Sequence, residues 1–238
     1  MSRATEDGTQ RMEKMYAEKP AGYYGGANPH LYKHVQDEWR EVLDVGCSEG
    51  GLGALVKDKG IRVSGIEAYP EAAAVAQEKL DHVLTGDIAS LDLPYDEGQF
   101  DCIVFGDVLE HLVDPWAVLR KVKPYLNARG AILASLPNLA HISVIGPLLA
   151  GSFSYEDRGL LDKTHLRFFT IGEIVRMFVE CGYAVTMVER VEVRMDVYAP
   201  LLADLVGLCT KHRIGGFLER EATAYQYVVL AVPIPASA

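Results

Sequence analysis

Residues 42–53 read VLDVGCSEGGLG, an apolar run broken by Asp44 and followed by Gly46, Cys47, Ser48, Gly50 and Gly51 in quick succession. Such a stretch ends a strand and starts a helix: the glycines sit where the chain must turn sharply and where helix N-terminal amides point outward. Backbone this bare suits an anionic ligand pressed against it. Taken alone, turn chemistry accounts for the glycines equally well, so the stretch fixes a strand-to-helix turn and leaves the ligand open.

Outward from that turn, short apolar runs alternate with helix-like stretches, the pattern of an α/β fold whose parallel sheet carries helices on both faces. The predicted strands are Glu41 to Cys47, Arg62 to Glu67, His82 to Asp87, Phe100 to Asp107, Gly130 to Leu136, Tyr183 to Arg190 and Tyr225 to Val232. Helices are predicted over Leu52 to Lys59, Pro70 to Leu80, Pro115 to Lys123 and Ile171 to Cys181. The last has Ile171, Ile174, Val175, Phe178 and Val179 at helical spacing, Thr170 as N-cap and Gly182 as C-cap. The whole chain, 1–238, reads as one domain. Residues 1–40 read as an N-terminal helical lid, with Asn28 and Pro29 as helix N-cap and first position. There Tyr23 and Tyr24 precede a glycine hinge and either close over a ligand or serve as core aromatics. Residues 137–170 read as a substrate cap, because insertions after the C-terminal ends of parallel strands overhang the ligand crevice. A second insertion, 191–222, with Leu201, Leu202, Leu205, Val206 and Leu208, is either a packed helix or the surface of a homodimer.

Composition narrows the partner. The chain has 238 residues, 49% hydrophobic and 24% charged, enough to bury a full core. A formal charge of −10 and a pI near 5.2 argue against a duplex nucleic-acid binder, which needs a basic face, and favour a small-molecule or protein partner. Cys47, Cys102, Cys181 and Cys209 lie far apart with no Cys/His ligand spacing, so neither a metal site nor a disulfide framework is expected. MSRATEDGTQRMEKMY has no apolar signal core and no stretch approaches the length of a membrane span, so a cytoplasmic chain without a membrane partner is expected.

The next strands bear on the ligand. GIEAYP puts Glu67 twenty-one positions beyond Gly46, at a neighbouring strand tip, where a carboxylate can accept both hydroxyls of a ribose. TGDI ends the third strand, where Asp87 could accept an adenine amine while the Ile88 N–H meets a ring nitrogen, or could simply make a turn. VLDVGCSEG, GIEAYP, LTGDI and FDCIVFGDVLEHLVDP, in that order, resemble the successive motifs of the class I, Rossmann-like S-adenosylmethionine-dependent methyltransferases. The resemblance covers roughly residues 40–190. It implies a seven-stranded sheet in the order 3-2-1-4-5-7-6 with strand 7 antiparallel, and S-adenosyl-L-methionine as cofactor. Carried over position by position, Asp44 and Gly46 would lie by the methionine part, Glu67 would hold the ribose, and Asp87 and Ile88 would flank the adenine. Tyr24, Cys47, Gly50, Ala68, Gly106, Asp107 and His111 would complete the cofactor contacts. The family commonly has glycine where Ser48 stands, which bears on the path of the loop. GLLDKTHLRFF, with PNLAHISV before it, further resembles a bacterial subgroup of small-molecule methyltransferases.

Methyl transfer from a sulfonium is an in-line displacement at an activated carbon, so the protein mainly aligns the acceptor and removes water. GDVLEHL leaves the fourth strand beside the expected methyl group, which brings up Asp107, Glu110 and His111. His111 has the right unperturbed pKa for a base, or it hydrogen-bonds a loop carbonyl. Asp107 binds the cofactor's ammonium or caps the following helix. In the cap, Asp162, Thr164, His165 and Arg167 crowd a carboxylate, a hydroxyl, an imidazole and a guanidinium together, and are read as substrate-binding, with His165 a second candidate base. A structural Asp162–Arg167 ion pair is the alternative. The function expected is methyl transfer to oxygen or nitrogen of a small molecule. An NAD(P)-dependent dehydrogenase or epimerase is the rival, weakened because Gly-x-Gly-x-x-Gly is incomplete. A non-catalytic interaction module on the same fold is the third reading.

Overall fold

The computed structural model describes residues 26–214 and 218–235. Seven strands, β1 (Glu41–Val45), β2 (Arg62–Glu67), β3 (His82–Thr85), β4 (Phe100–Gly106), β5 (Leu126–Pro137), β6 (Tyr183–Glu192) and β7 (Ala224–Pro233), form one sheet in the order 3-2-1-4-5-7-6. Neighbours from β3 to β5 run parallel, and β7 pairs antiparallel with both β5 and β6. The order expected from the resemblance is the order observed.

The sheet is buried on both faces, which explains why its central strands are apolar throughout rather than alternating. Successive residues of one strand feed opposite cores. Leu43, Val45, Ile103 and Phe105 face one core, completed by Val118, Leu119 and Val122 of one helix (Pro115–Val122) and Ile174, Met177 and Phe178 of another (Ile171–Glu180). Val42, Cys102 and Val104 face the other core, with Leu52, Val56, Ala73 and Ala76 from the helices Gly51–Lys57 and Pro70–Gln77. Leu31, Val35 and Trp39 also belong to that second core. The described part of the expected N-terminal lid is therefore packed against the sheet, and Tyr23 and Tyr24 lie outside the described residues.

The strand ends are set by backbone conformation. β1 stops at Val45 because Gly46 takes φ +70°, and β4 stops at Gly106 because Asp107 takes φ +56°. Both ends fall short of the sequence expectation for that reason. Thr170 stands before the helix Ile171–Glu180 as expected, but its side chain makes no capping bond and the carbonyl alone accepts from Ile174 N–H, at 2.9 Å. Gly182, φ +79°, follows the helix and lets the chain turn into β6.

The first insertion forms a helix over Ile142–Leu149 and a loop closed by isolated bridges between Asn138 and Phe169 and between Glu156 and Asp162. The second carries helices Ala199–His212 and Leu218–Thr223. No residue of Ala199–His212 is buried, and the insertion, through Cys209 and Arg220, lines an open cleft of about 660 Å³ together with Ile171 and Arg190. No helix among the described residues is long and apolar enough to cross a membrane.

Candidate active site

In this sheet order β1 lies between β2 and β4, so the chain crosses to opposite sides of β1 and leaves a crevice beyond its C-terminal end. The glycine loop occupies that end. Gly46 N–H and Cys47 N–H both donate to the Ile66 carbonyl, at 2.7 and 3.1 Å, which hooks the loop onto the tip of β2. A Cβ on Gly46 would lie 2.4 Å from Val108 Cγ2, so the glycine also permits close approach to the exit of β4. Ser48 stands at φ +52°: it takes the left-handed conformation that glycine adopts at no cost, at a penalty of about 1–2 kcal/mol. The loop thus keeps a glycine-like path without the glycine. Cys47 turns its Sγ inward against Gly65, leaving backbone toward the crevice.

Glu67 braces this arrangement. Its Oε2 accepts Ser48 N–H and its Oε1 accepts Tyr69 N–H, each at 2.8 Å. Burial raises its carboxyl above the usual carboxylate range, against the lowering effect of those N–H groups. Asp44, 4% exposed, is pushed up to about 7 by burial and then by the Glu67 charge. Asp107 is raised by burial, opposed by hydrogen bonds from Ser135, Asn28 and Gln226. Gln226 Nε2 donates to Asp107 Oδ1, Asn28 Nδ2 donates to Gln226 Oε1 at 3.3 Å, and Asp107 N–H donates to Ser135 Oγ at 3.1 Å. Four chain segments meet in that network. Ser135 and Gln226 were not singled out from the sequence, although each is a lone polar residue in an apolar strand, which was the available signal. Asn28 accepts from His30 N–H as the expected N-cap, at 3.0 Å, and joins the network through its amide.

The third strand end is simpler. Asp87 Oδ1 accepts Ala89 N–H at 2.9 Å, so the turn role accounts for that oxygen, and buried Ile88 gives its carbonyl to Lys121 Nζ at 2.8 Å. Gly106 ends β4 and Ala68 follows Glu67 exposed at the crevice edge.

Beyond β4 the chain is zipped to the first insertion. The Glu110 carbonyl accepts Leu166 N–H and Arg167 N–H at 2.8 and 3.0 Å, His111 Nδ1 lies 3.2 Å from the Thr164 carbonyl, and the Arg167 guanidinium donates to the Val113 carbonyl. Asp162 and Thr164 are buried, and Asp162 Oδ1 accepts both Thr164 N–H and Oγ1–H, at 2.8 and 2.7 Å. Asp162 and Thr164, expected to bind substrate, bond to each other within the loop, and the Arg167 guanidinium, expected there too, holds the Val113 carbonyl. The two histidines do come together, with ring centroids 4.7 Å apart and edge to face. His165, 9% exposed, sets Nδ1 3.2 Å from the Leu160 carbonyl and Nε2 4.0 Å from Glu110 Oε1.

Residues 8–188 match the family model described as a methyltransferase domain. Over 170 residues, 68% of each chain, the sequence is 26% identical to the ubiquinone biosynthesis O-methyltransferase of Aeromonas salmonicida. Over 100 residues, 39% of this chain and 34% of that one, it is 30% identical to the norajmaline N-methyltransferase of Rauvolfia serpentina. The chain thus spans about one third to two thirds of the length of the curated relatives it matches. A crystal structure of an S-adenosylmethionine-dependent methyltransferase from Archaeoglobus fulgidus shares the fold with a TM-score of 0.57 at 16% identity, covering 95% of this chain and 93% of that one.

Proposed function

The chain belongs to the methyltransferase-domain family, in its class I, Rossmann-like and S-adenosylmethionine-dependent form, and from that premise we propose that it methylates an oxygen or nitrogen of a small molecule. Family membership sets the dehydrogenase reading aside. The observation that carries the proposal is the meeting, at the β1 crevice, of a glycine loop with raised, buried carboxyls: Asp44, Glu67 and Asp107. Burial disfavours the charged form of each carboxyl and an incoming cation favours it, and S-adenosylmethionine carries two cationic groups, an ammonium and a sulfonium. The residues present therefore fit the cofactor.

When bound, the cofactor supplies an electrophilic methyl group. The chain's own part is alignment and desolvation. Gly46 and Gly50 would leave room for ligand against backbone, and lone pairs of Glu67 beyond its two N–H bonds would accept ribose hydroxyls. Asp107, held by Gln226, Asn28 and Ser135, would receive the ammonium. A backbone carbonyl can only accept, so His111 Nδ1 carries the proton toward Thr164 and Nε2 is the basic nitrogen, the form a general base requires. The same holds for His165 against Leu160. The O- and N-methyltransferase relatives support oxygen or nitrogen as acceptor atom.

Calorimetry with S-adenosylmethionine, its demethylated product and a nicotinamide dinucleotide, followed by a donor-consumption screen over phenols, alcohols and amines, tests the reading. The first two ligands should bind, and at least one acceptor should drive consumption. Cofactor binding with no turnover on any acceptor would favour a non-catalytic module.

A further inference from the structure

We propose that Glu110, His111 and His165 form a binding site for a divalent first-row transition metal, with Zn²⁺ as its natural probe. Each residue offers one donor atom, and the three donors lie within 4.8 Å of one another. They come from two segments, the exit of β4 and the first insertion, which the bond between His111 and Thr164 holds together across 53 positions. That separation along the chain is why ligand spacing in the sequence carried no metal signal.

Three further features point to an ion. The first is the histidine tautomers. Each ring directs Nδ1 at a backbone carbonyl, Thr164 for His111 and Leu160 for His165, both at 3.2 Å. A carbonyl demands the N–H there, which leaves Nε2 of each neutral ring with its lone pair. Donation of the second ring N–H to a carbonyl is the outer support that metal-binding histidines use. The second is Glu110. It is 1% exposed, and its Oε2 has no hydrogen-bond partner among the described residues. Its Oε1 stands 4.0 Å from His165 Nε2, too far for the pair to satisfy each other by hydrogen bonding. A buried carboxyl oxygen without a partner is destabilising, and a cation would remove that cost.

The third is the chemistry of the set. Two imidazoles and one carboxylate suit Zn²⁺ and its first-row neighbours, whereas Mg²⁺ and Ca²⁺ prefer oxygen ligands alone. Zinc bonds to nitrogen and oxygen of about 2.0–2.2 Å place tetrahedral neighbours roughly 3.4 Å apart, so the cluster must contract by about an ångström, within reach of side-chain rotation. Three protein ligands leave an open position. On the methyl-transfer reading, on which this one clause rests, the two imidazoles would serve as ligands instead of as bases, and an acceptor hydroxyl bound there would ionise at lower pH and lose its proton to solvent.

The test uses the full chain stripped with a chelator, then titrated with Zn²⁺ by calorimetry and with Co²⁺ by visible absorption. One equivalent should bind, with Co²⁺ giving the intense bands of a low-coordinate nitrogen and oxygen site. Glu110→Gln, close to isosteric, and His165→Ala should each weaken Zn²⁺ at least tenfold, and circular dichroism reports whether each variant is folded. If His165→Ala does not fold, Glu110→Gln alone decides. A second cluster of two histidines and a carboxylate, His30, His34 and Glu189, provides the control, since Lys33 already occupies Glu189 at 2.5 Å. Loss of Zn²⁺ binding in His34→Ala but not in Glu110→Gln would overturn the assignment, as would the absence of saturable binding. S-adenosylmethionine affinity, measured alongside on metal-free protein, keeps the two proposals separate: Zn²⁺ binding without cofactor binding sinks methyl transfer and leaves the metal site standing.

Discussion

Gly46 has little freedom to change. Any side chain there meets both a left-handed φ of +70° and Val108 Cγ2 at 2.4 Å, so Gly46→Ala should cost about 1–3 kcal/mol of stability and move the loop off the β4 exit. Thermal unfolding and cofactor calorimetry should both register it. Glu67 works on two sides, because it holds Ser48 N–H and Tyr69 N–H while facing the expected ribose. Glu67→Gln should therefore lower cofactor affinity by roughly 1.5–3 kcal/mol and lower the melting temperature as well. A changed affinity with an unchanged melting temperature would show that the bracing bonds carry no stability. Asp44 makes stability depend on pH. Its folded pKa of about 7 stands above the ordinary carboxylate value of 3.8, so the folded state holds the proton more tightly than the unfolded one. The stability this contributes is fully present below pH 3.8 and is lost as pH rises through about 7. About three units correspond to at most ~4 kcal/mol. Unfolding curves of the cofactor-free protein from pH 4 to pH 8 should show that decline, Asp44→Asn should flatten it, and the cationic cofactor should oppose it.

At the scale of elements, the loop 160–168 is fastened to the β4 exit by bonds to Glu110 and Val113 rather than by apolar packing alone. Arg167→Ala removes the clamp on the Val113 carbonyl and should cost about 1 kcal/mol, with faster hydrogen exchange at the amides of Leu166 and Arg167. Unchanged exchange would mean that the Glu110 carbonyl suffices. This loop also marks where reading residues in one dimension stops. A carboxylate, a hydroxyl, an imidazole and a guanidinium in six positions look alike whether they face a ligand or bond to one another, and the bonds between Asp162 and Thr164 are of a kind that no one-dimensional pattern reveals. The strands were legible because both faces of the sheet demand apolar residues. Their ends were less so: the left-handed turn of Asp107 is fixed by contacts with Ser135 and Gln226, which no local pattern reveals.

For the molecule as a whole, the N-terminal segment, besides its apolar packing, is tethered to the far edge of the sheet by one carboxylate. Glu189 on β6 receives His30, Lys33 and His34, and these partners hold its carboxyl below the usual range. A lowered folded pKa gives stability that is present above the unfolded value and lost as pH falls through the folded one. Glu189→Gln should thus lower the melting temperature by about 2–4 °C per kcal/mol lost at neutral pH, and the difference from the parent should close in acid. A gap that persists in acid would assign the effect to packing. The sheet order was foreseeable from the motif succession; the joining of distant segments through Asn28, Ser135 and Gln226 was not, because hydrogen bonds between lone polar residues leave no periodicity. That joining has a consequence for synthesis. Gln226 reaches Asp107 across 119 positions, on a strand that must slide between β5 and β6 after both have been made. On the ribosome, the β5 edge that β7 later covers stays unpaired until β7 emerges, and only then can the Asp107 network close.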